Sequence, residues 1–308
     1  MTVTKSLKLF GFDYYFEELT SIYCNNNFPN KILFSGRKGI GKKTLANHLI
    51  NFIFSENEEF KYDYTNKEIN PLNKSYKMSE NNVHPNFYRI TLKNEKKNID
   101  ISQIREMINF INKSSFNNKK KIILIEDIEF LNSYSANALL KSIEEPNNEV
   151  FFILILNNEK SCLNTIKSRC IEYKIVLNNK FLPKIIDNYF NNKIFQYISK
   201  DFINYYIPPS LLIKFVSFCN NHNLNFKSIS IDELIKYYLN NNIYKKKEFI
   251  NEDIKFYLEL FFYTKINKFK IKELNSLYLY FNKRFDLINK FNLDLESFFI
   301  EFNAKLFK

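Results

Sequence analysis

Tryptophan does not occur in these 308 residues, glycine occurs four times, proline seven times, cysteine four times and histidine three times. Each shortage removes a class of answer. Cys24, Cys162, Cys170 and Cys219 are scattered with no C-x-x-C spacing, so neither a disulfide framework nor a zinc site is indicated, and buried or idle thiols in a reducing compartment are expected. No apolar run approaches the ~18 residues of a spanning helix, and the opening Met1-Thr2-Val3-Thr4-Lys5 has no signal-peptide core. A soluble, cytoplasmic chain with no membrane contact is expected.

What glycine there is sits together. Gly36, Gly39 and Gly41 are three of the four, and they follow directly on the apolar run Lys31-Ile32-Leu33-Phe34. A backbone free to adopt φ > 0, with no Cβ in the way, curls its N–H groups around a phosphate. Apolar residues at Leu45, Ala46, Leu49, Ile50 and Ile53 then recur at a helical period, so a helix N-terminus would face the same phosphate. The stretch fits G-x-x-x-x-G-K-[ST] from Gly36 to Lys42 and then departs: Lys43 stands where a hydroxyl should hold Mg²⁺, and Thr44 follows one residue late. A cationic side chain cannot ligate a cation. ATP binding is therefore expected to be weak or absent, and the bland alternative is a loop of this shape that only packs a helix on a sheet.

The hydrophobic content of 45% permits two or three domains with proper cores. A net charge of +12 and a pI near 9.2 point to an anionic partner. The abundance of Lys, Asn, Ile, Phe and Tyr supplies a rival cause, codon bias from AT-rich DNA, and direct DNA contact would show as a steep loss of affinity with salt.

Along the chain, Leu7–Phe12 holds the fourth glycine, Tyr15–Tyr23 reads as a helix, and Phe28-Pro29-Asn30 turns into the first strand. Residues 55–82 are charged, polar and aperiodic, and read as an exposed insertion with room for disorder. In the turn and strand Val83–Leu92, His84 reads as a packed turn residue; a catalytic histidine would need a base-orienting neighbour. Asp100 and Gln103 form a capping pair for a helix with Ile104, Met107, Ile108 and Ile111 on one face.

Lys121–Ile125 is the kind of run buried on both faces of a parallel sheet. It ends in Glu126-Asp127, where a carboxylate that supports Mg²⁺ and then a catalytic one are expected, in the reverse of the usual Asp-Glu order. The alternative is a solvated strand end. Ser133 or Ser135 caps the next helix and Pro146 stops it. Glu149–Leu156 is a further buried strand, with Asn157 placed at its edge to orient a water or touch a γ-phosphate. Thr165–Cys170 then leads into a strand over Ile171–Ile175.

The order of Leu9-Phe10-Gly11, Phe28-Pro29, Gly36 to Ala46, His84-Pro85, Gln103-Ile104-Arg105, Glu126-Asp127, Asn137 to Lys141, Glu144-Glu145-Pro146 and Ser168-Arg169-Cys170 resembles the AAA+ clamp-loader ATPases, and among them the delta-prime branch. The resemblance covers roughly residues 7–176. It implies an α/β fold: an AAA+ P-loop domain with a parallel five-stranded sheet over 1–176, a small helical lid over 177–225 and an all-α oligomerisation collar over 226–308. It also implies that Arg169 is an arginine finger given in trans to a neighbour's ATP, a task that suits a guanidinium fork. Implied partners are the other clamp-loader subunits in a hetero-pentamer, the sliding clamp and primer–template DNA.

Three departures mark the own site as degenerate under that resemblance: Lys43, the reversed Glu126-Asp127 pair, and the absence of a sensing arginine near Tyr206 to Leu212. Relatives that carry zinc have cysteines between the P-loop and the His-Pro turn, and here that interval has none. The expectation is a clamp-loader subunit that helps ATP-driven loading of the clamp onto primed DNA. The rivals are an active AAA+ ATPase subunit, a P-loop small-molecule kinase, and a DNA-binding protein with a vestigial P-loop. Beyond Phe181 the chain reads as helices, over Leu182–Phe190, Pro209–Asn220, Ile231–Leu239, Ile254–Phe269 and Leu274–Phe291, with aromatic stripes of the core-forming kind.

Overall fold

The computed structural model describes residues 7–93, 96–116, 120–144, 150–157, 164–243, 251–266, 271–291 and 293–306. They divide into two compact units, Met1–Tyr189 with Pro208–Ser210, and Phe190–Ile207 with Leu211–Lys308.

In the first unit, α1 (Asp13–Cys24) precedes β1 (Lys31–Ser35), α2 (Lys42–Ser55) and α3 (Lys74–Glu80). Then come β2 (Phe87–Ile90), α4 (Ile101–Ile111), β3 (Lys121–Ile125), α5 (Ser133–Glu144), β4 (Val150–Leu156), α6 (Asn164–Lys167), β5 (Ile171–Lys174) and α7 (Leu182–Phe190). The five strands pair in parallel in the order β2-β3-β4-β1-β5. Alternation along the strands explains why the apolar runs are unbroken. Ile32, Phe34, Ile122, Leu124 and Ile153 face one core with Phe16 and Leu19 of α1 and Leu45 and Leu49 of α2. Leu33, Ile123, Ile125 and Leu154 face the other core with Ile104 and Met107 of α4 and Leu139 and Ile143 of α5. With both faces covered, no strand of the sheet interior has a polar side.

Two caps set helix ends. The expected capping box of α4 closes, the Gln103 side chain accepting from the Asp100 N–H. At its other end Lys121, buried inside an apolar strand, donates to the carbonyls of Phe110 (2.8 Å), Ile111 (3.0 Å) and Lys113. A cation on orphan carbonyls at a helix C-terminus is satisfied by charge and by hydrogen bonds together.

Two expectations are corrected. The cap of α5 is Asn132, whose Oδ1 accepts from the Ser135 N–H at 2.8 Å, and Ser135 is instead buried with its hydroxyl donating to Ile99 O. The expected stop at Pro146 lies outside the described residues. Residues 55–82 are not simply an exposed insertion: they contain α3, and Tyr62 and Ile69 join the core of the first unit. Asn73 orders this stretch from a fully buried position. It accepts from Tyr76 N and Asn51 Nδ2 and donates to Glu58 and Phe60 O. His84 is the packed turn residue expected, stacked on Phe54 at 4.2 Å, with Nδ1 accepting from the Asn86 N–H.

The second unit is helical, with α8 (Lys200–Ile203), α9 (Pro209–Asn221), α10 (Ile231–Asn240), α11 (Asn251–Lys265), α12 (Ile271–Phe291) and α13 (Leu295–Leu306). α13 is a helix that the sequence analysis above does not include. Its Phe298 and Phe302 pack against Phe281 of α12, with ring centroids 5.6 and 4.9 Å apart, and Phe302 meets Phe261 of α11 at 5.2 Å. All four rings are fully buried, so the aromatic stripes of this unit are core.

Candidate functional site

The strand order puts β1 between β4 and β5 while β2, next in sequence, lies at the far edge. Loops after β1, β3 and β4 therefore open together at the carboxyl edge of the sheet, beside a topological switch point. Gly36 to Thr44, Glu126-Asp127 and Asn157 all arrive there.

Three glycines shape the first loop for different reasons. Gly36 donates to Leu156 O at 3.2 Å, and a Cβ on it would stand 2.4 Å from the Ile175 carbonyl oxygen. Gly39 and Gly41 have φ of +76° and +111°, where glycine alone is unstrained. Gly41 caps α2, which starts at Lys42. Lys42 is buried, and its ammonium donates to Gly36 O (2.8 Å) and Arg37 O (2.7 Å), so it spans the loop it belongs to. Gly39 O accepts from Ser210 N at 3.2 Å. Thr44 lies one turn-position further along α2, with its Oγ1 4.0 Å from where a Cβ on Gly41 would be.

Lys43 points elsewhere. Its ammonium donates to Glu126 Oε2 at 2.8 Å. The other oxygen of Glu126 lies 3.6 Å from Arg89 Nε, and Arg89 Nη2 reaches Asn47 Oδ1 at 3.1 Å and Glu80 at 3.7 Å. The Glu126 and Arg89 side chains are only 10% and 9% exposed, whereas Lys43 is 51% exposed. Burial depresses the Arg89 guanidinium from its ordinary value and Glu126 opposes that; an arginine remains charged under such a load. Two cations and two carboxylates from α2, α3, β2 and the end of β3 thus make a chain of alternating sign. Arg89, Asn47 and Glu80 had no signal in the sequence, because nothing in their spacing brings them to Glu126.

The other carboxylates are tied down as well. Asp127 is left-handed (φ 56°), a conformation that aspartate tolerates better than most residues. Its Oδ1 accepts from Asn157 Nδ2 at 2.5 Å. The Asn157 N–H is shared between the two oxygens of Glu129 at 3.3 and 3.4 Å. Burial, with a smaller contribution from Asp127, lifts the Glu129 carboxyl above its usual range, against the hydrogen bonds from backbone N–H groups. A carboxyl raised in the folded state stabilises the fold at pH below its unfolded value and loses that contribution as pH rises through the folded one. Glu129→Gln is accordingly expected to melt higher than the native chain near about pH 7, with the gap closing towards about pH 4. Urea or thermal melts at both pH values check this, and a gap that does not change with pH is the contrary outcome.

Arg169 follows α6 in a turn, away from that cluster in sequence and partly exposed. It forms an ion pair with Glu144 Oε1 at 2.5 Å and donates to Thr165 O at 3.0 Å.

A family profile described as DNA polymerase III, delta subunit, matches residues 13–178, which contain the whole sheet and every loop just described. The chain belongs to this family. Within the AAA+ clamp loaders it is delta-prime-like. It is 34% identical to the DNA polymerase III subunit delta′ of Pseudomonas aeruginosa over 90 residues, 29% of this chain and 27% of that one. It is 24% identical to the delta′ subunit of Escherichia coli over 155 residues, 50% of this chain and 45% of the other. The subunit gamma of Buchnera aphidicola subsp. Schizaphis graminum is 25% identical over 230 residues, 72% of this chain and 61% of that one. In each case the matched part is less than two thirds of the relative. In fold, the delta-prime-like chain is similar to a gamma-subunit-related protein of Thermotoga maritima, with a TM-score of 0.51 at 15% identity, covering 93% of this chain and 97% of that one. Among the described residues no helix is long and apolar enough to cross a membrane.

Proposed function

We propose that this chain is a clamp-loader subunit that turns over no ATP of its own and completes the ATP site of a neighbouring subunit with Arg169. The observation that carries the first half is the contact of Lys43 with Glu126. Magnesium at this edge would need an oxygen from position 43 and a carboxylate free to support it. Position 43 offers an ammonium instead, and that ammonium is already on the carboxylate. The backbone of Gly36 to Lys42 fits a phosphate; Lys43 and Glu126 do not fit a divalent cation beside it. Asn157 and Asp127 hold each other, which leaves neither poised on a water.

The second half rests on family likeness and on chemistry. Arg169 is partly exposed and at a turn, and Glu144 and the Thr165 carbonyl, which it holds, are surface groups that a competing phosphate can displace. The partners proposed are the other clamp-loader subunits, a sliding clamp and primer–template DNA, with 177–225 as lid and 226–308 as collar of the assembly. The second reading is an active ATPase subunit; position 43 opposes it.

The test is co-purification with gamma-type and delta-type subunits, followed by ATP turnover with and without clamp and primed DNA. The chain is expected to enter the complex, and omission of the chain is expected to remove the turnover at one interface. Failure to co-assemble contradicts the proposal.

A further inference from the structure

We propose that Lys43 is a built-in replacement for the divalent cation: its ammonium neutralises Glu126 and fastens the end of β3 to α2, so that the order of the cradle does not depend on Mg²⁺ or nucleotide. The inference deepens the reading of the cradle given above and rests on it.

Glu126 cannot stand alone where it lies. Its side chain is nearly buried, and its Oε1 is a buried oxygen with no hydrogen bond. Arg89 Nε faces that oxygen at 3.6 Å, too long for a hydrogen bond, and is itself without one. Arg89 is moreover shared with Glu80. The contact that satisfies Glu126 at full strength is therefore Lys43 Nζ on Oε2, at a charge-assisted distance of 2.8 Å. A carboxylate at a sheet edge beside a phosphate loop is ordinarily a place where a metal supplies the positive charge. Here α2 supplies it covalently, from the residue next to the loop lysine. Because the tether fixes the local concentration of the cation, chelation or dilution cannot remove it.

The position of Arg89 supports the same view. With Lys43 present the chain Lys43–Glu126–Arg89–Glu80 has zero net charge. A bound Mg²⁺ in addition would place a third and fourth positive charge beside the nearly buried Arg89, where repulsion is screened less than at an open surface. The same arrangement ties α3, and with it residues 55–82, to the edge of the sheet through Glu80.

Thermal unfolding of the isolated full chain tests this without reference to activity. The native chain is expected to melt at the same temperature in EDTA and in Mg²⁺, and to melt no higher with Mg·ADP than with ADP in EDTA. Lys43→Met, which keeps the stem and removes the charge, is expected to lower the midpoint by about 2–4 °C. Lys43→Thr is expected to lose as much in EDTA and to regain at least that much in Mg·ADP, since binding to the folded state alone raises stability. A native chain that melts higher in Mg²⁺ than in EDTA, or higher with Mg·ADP than with ADP in EDTA, overturns the inference. So does a Lys43→Met chain with the native midpoint, or a Lys43→Thr chain as indifferent to Mg·ADP as the native one. Each of these can occur while the chain still assembles and Arg169 still acts on a neighbour's ATP, so this inference and the proposed function can fail separately.

Discussion

Arg169→Ala is expected to lower ATP turnover in a reconstituted complex by about 10³-fold at one interface, because a finger supplied in trans stabilises charge that exists only in the transition state. Folding of the variant is expected to be intact. Arg169 is partly exposed, as is its partner Glu144, and an ion pair of that kind contributes ~1 kcal/mol or less. The two roles open to Arg169 thus differ in size by several kcal/mol: a surface pair would leave turnover unchanged on removal, while a finger would cost most of it. Arg169→Lys sharpens the test. It keeps the charge but loses the planar fork of donors, and a finger is expected to remain impaired with lysine while a generic surface cation would not. Unchanged turnover in the alanine complex, with normal assembly, removes the finger assignment.

Gly36→Ala is expected to destabilise the first unit by about 3 kcal/mol, the upper end for an added carbon in a packed site. The new Cβ would meet backbone, not a side chain that can rotate: the Ile175 carbonyl oxygen is 2.4 Å away. That carbonyl cannot retreat freely, since Ile175 N donates to Ser35 O at 2.7 Å and the Ile175 side chain is buried. Accommodation would pull β5 off β1. For a domain of this size a loss of that magnitude is a fall of about 6–12 °C in the melting midpoint. Gly39→Ala is the comparison. Both positions have a positive φ, +153° at Gly36 and +76° at Gly39, but at Gly39 the Cβ meets the Ser210 hydroxyl, a side-chain group and not backbone. A smaller loss is expected at Gly39 than at Gly36; equal or reversed losses would mean that the approach of β5 is not what fixes glycine at 36.

What could be read from the chain follows from the physics of each element. The runs Lys121–Ile125 and Val150–Leu156 were legible because a strand buried on both faces has no polar alternation to hide it. The cradle was legible because so few glycines occur elsewhere. The α4 capping box was legible because both partners are three residues apart. Contacts between distant positions were not. Lys43 and Glu126 are 83 residues apart, and only the sheet order brings them together. Arg89 looked like any strand residue. Residues 55–82 were misread because their order comes from Asn73, a buried amide with four partners, in a chain where asparagine is too common to draw notice. Between Asn132, Ser133 and Ser135, all competent caps, only the backbone decides, and it selects Asn132. In the same way Arg169 and Glu144 each stand in a motif, but nothing in the sequence says that they pair.

The proposed function depends on the hydroxyl oxygen missing from position 43 of the Gly36–Thr44 loop. ATP turnover by the isolated chain in saturating Mg·ATP measures that most directly. No turnover above the uncatalysed background is predicted; hydrolysis at about 1 s⁻¹ or faster, the ordinary range for an enzyme, would contradict it.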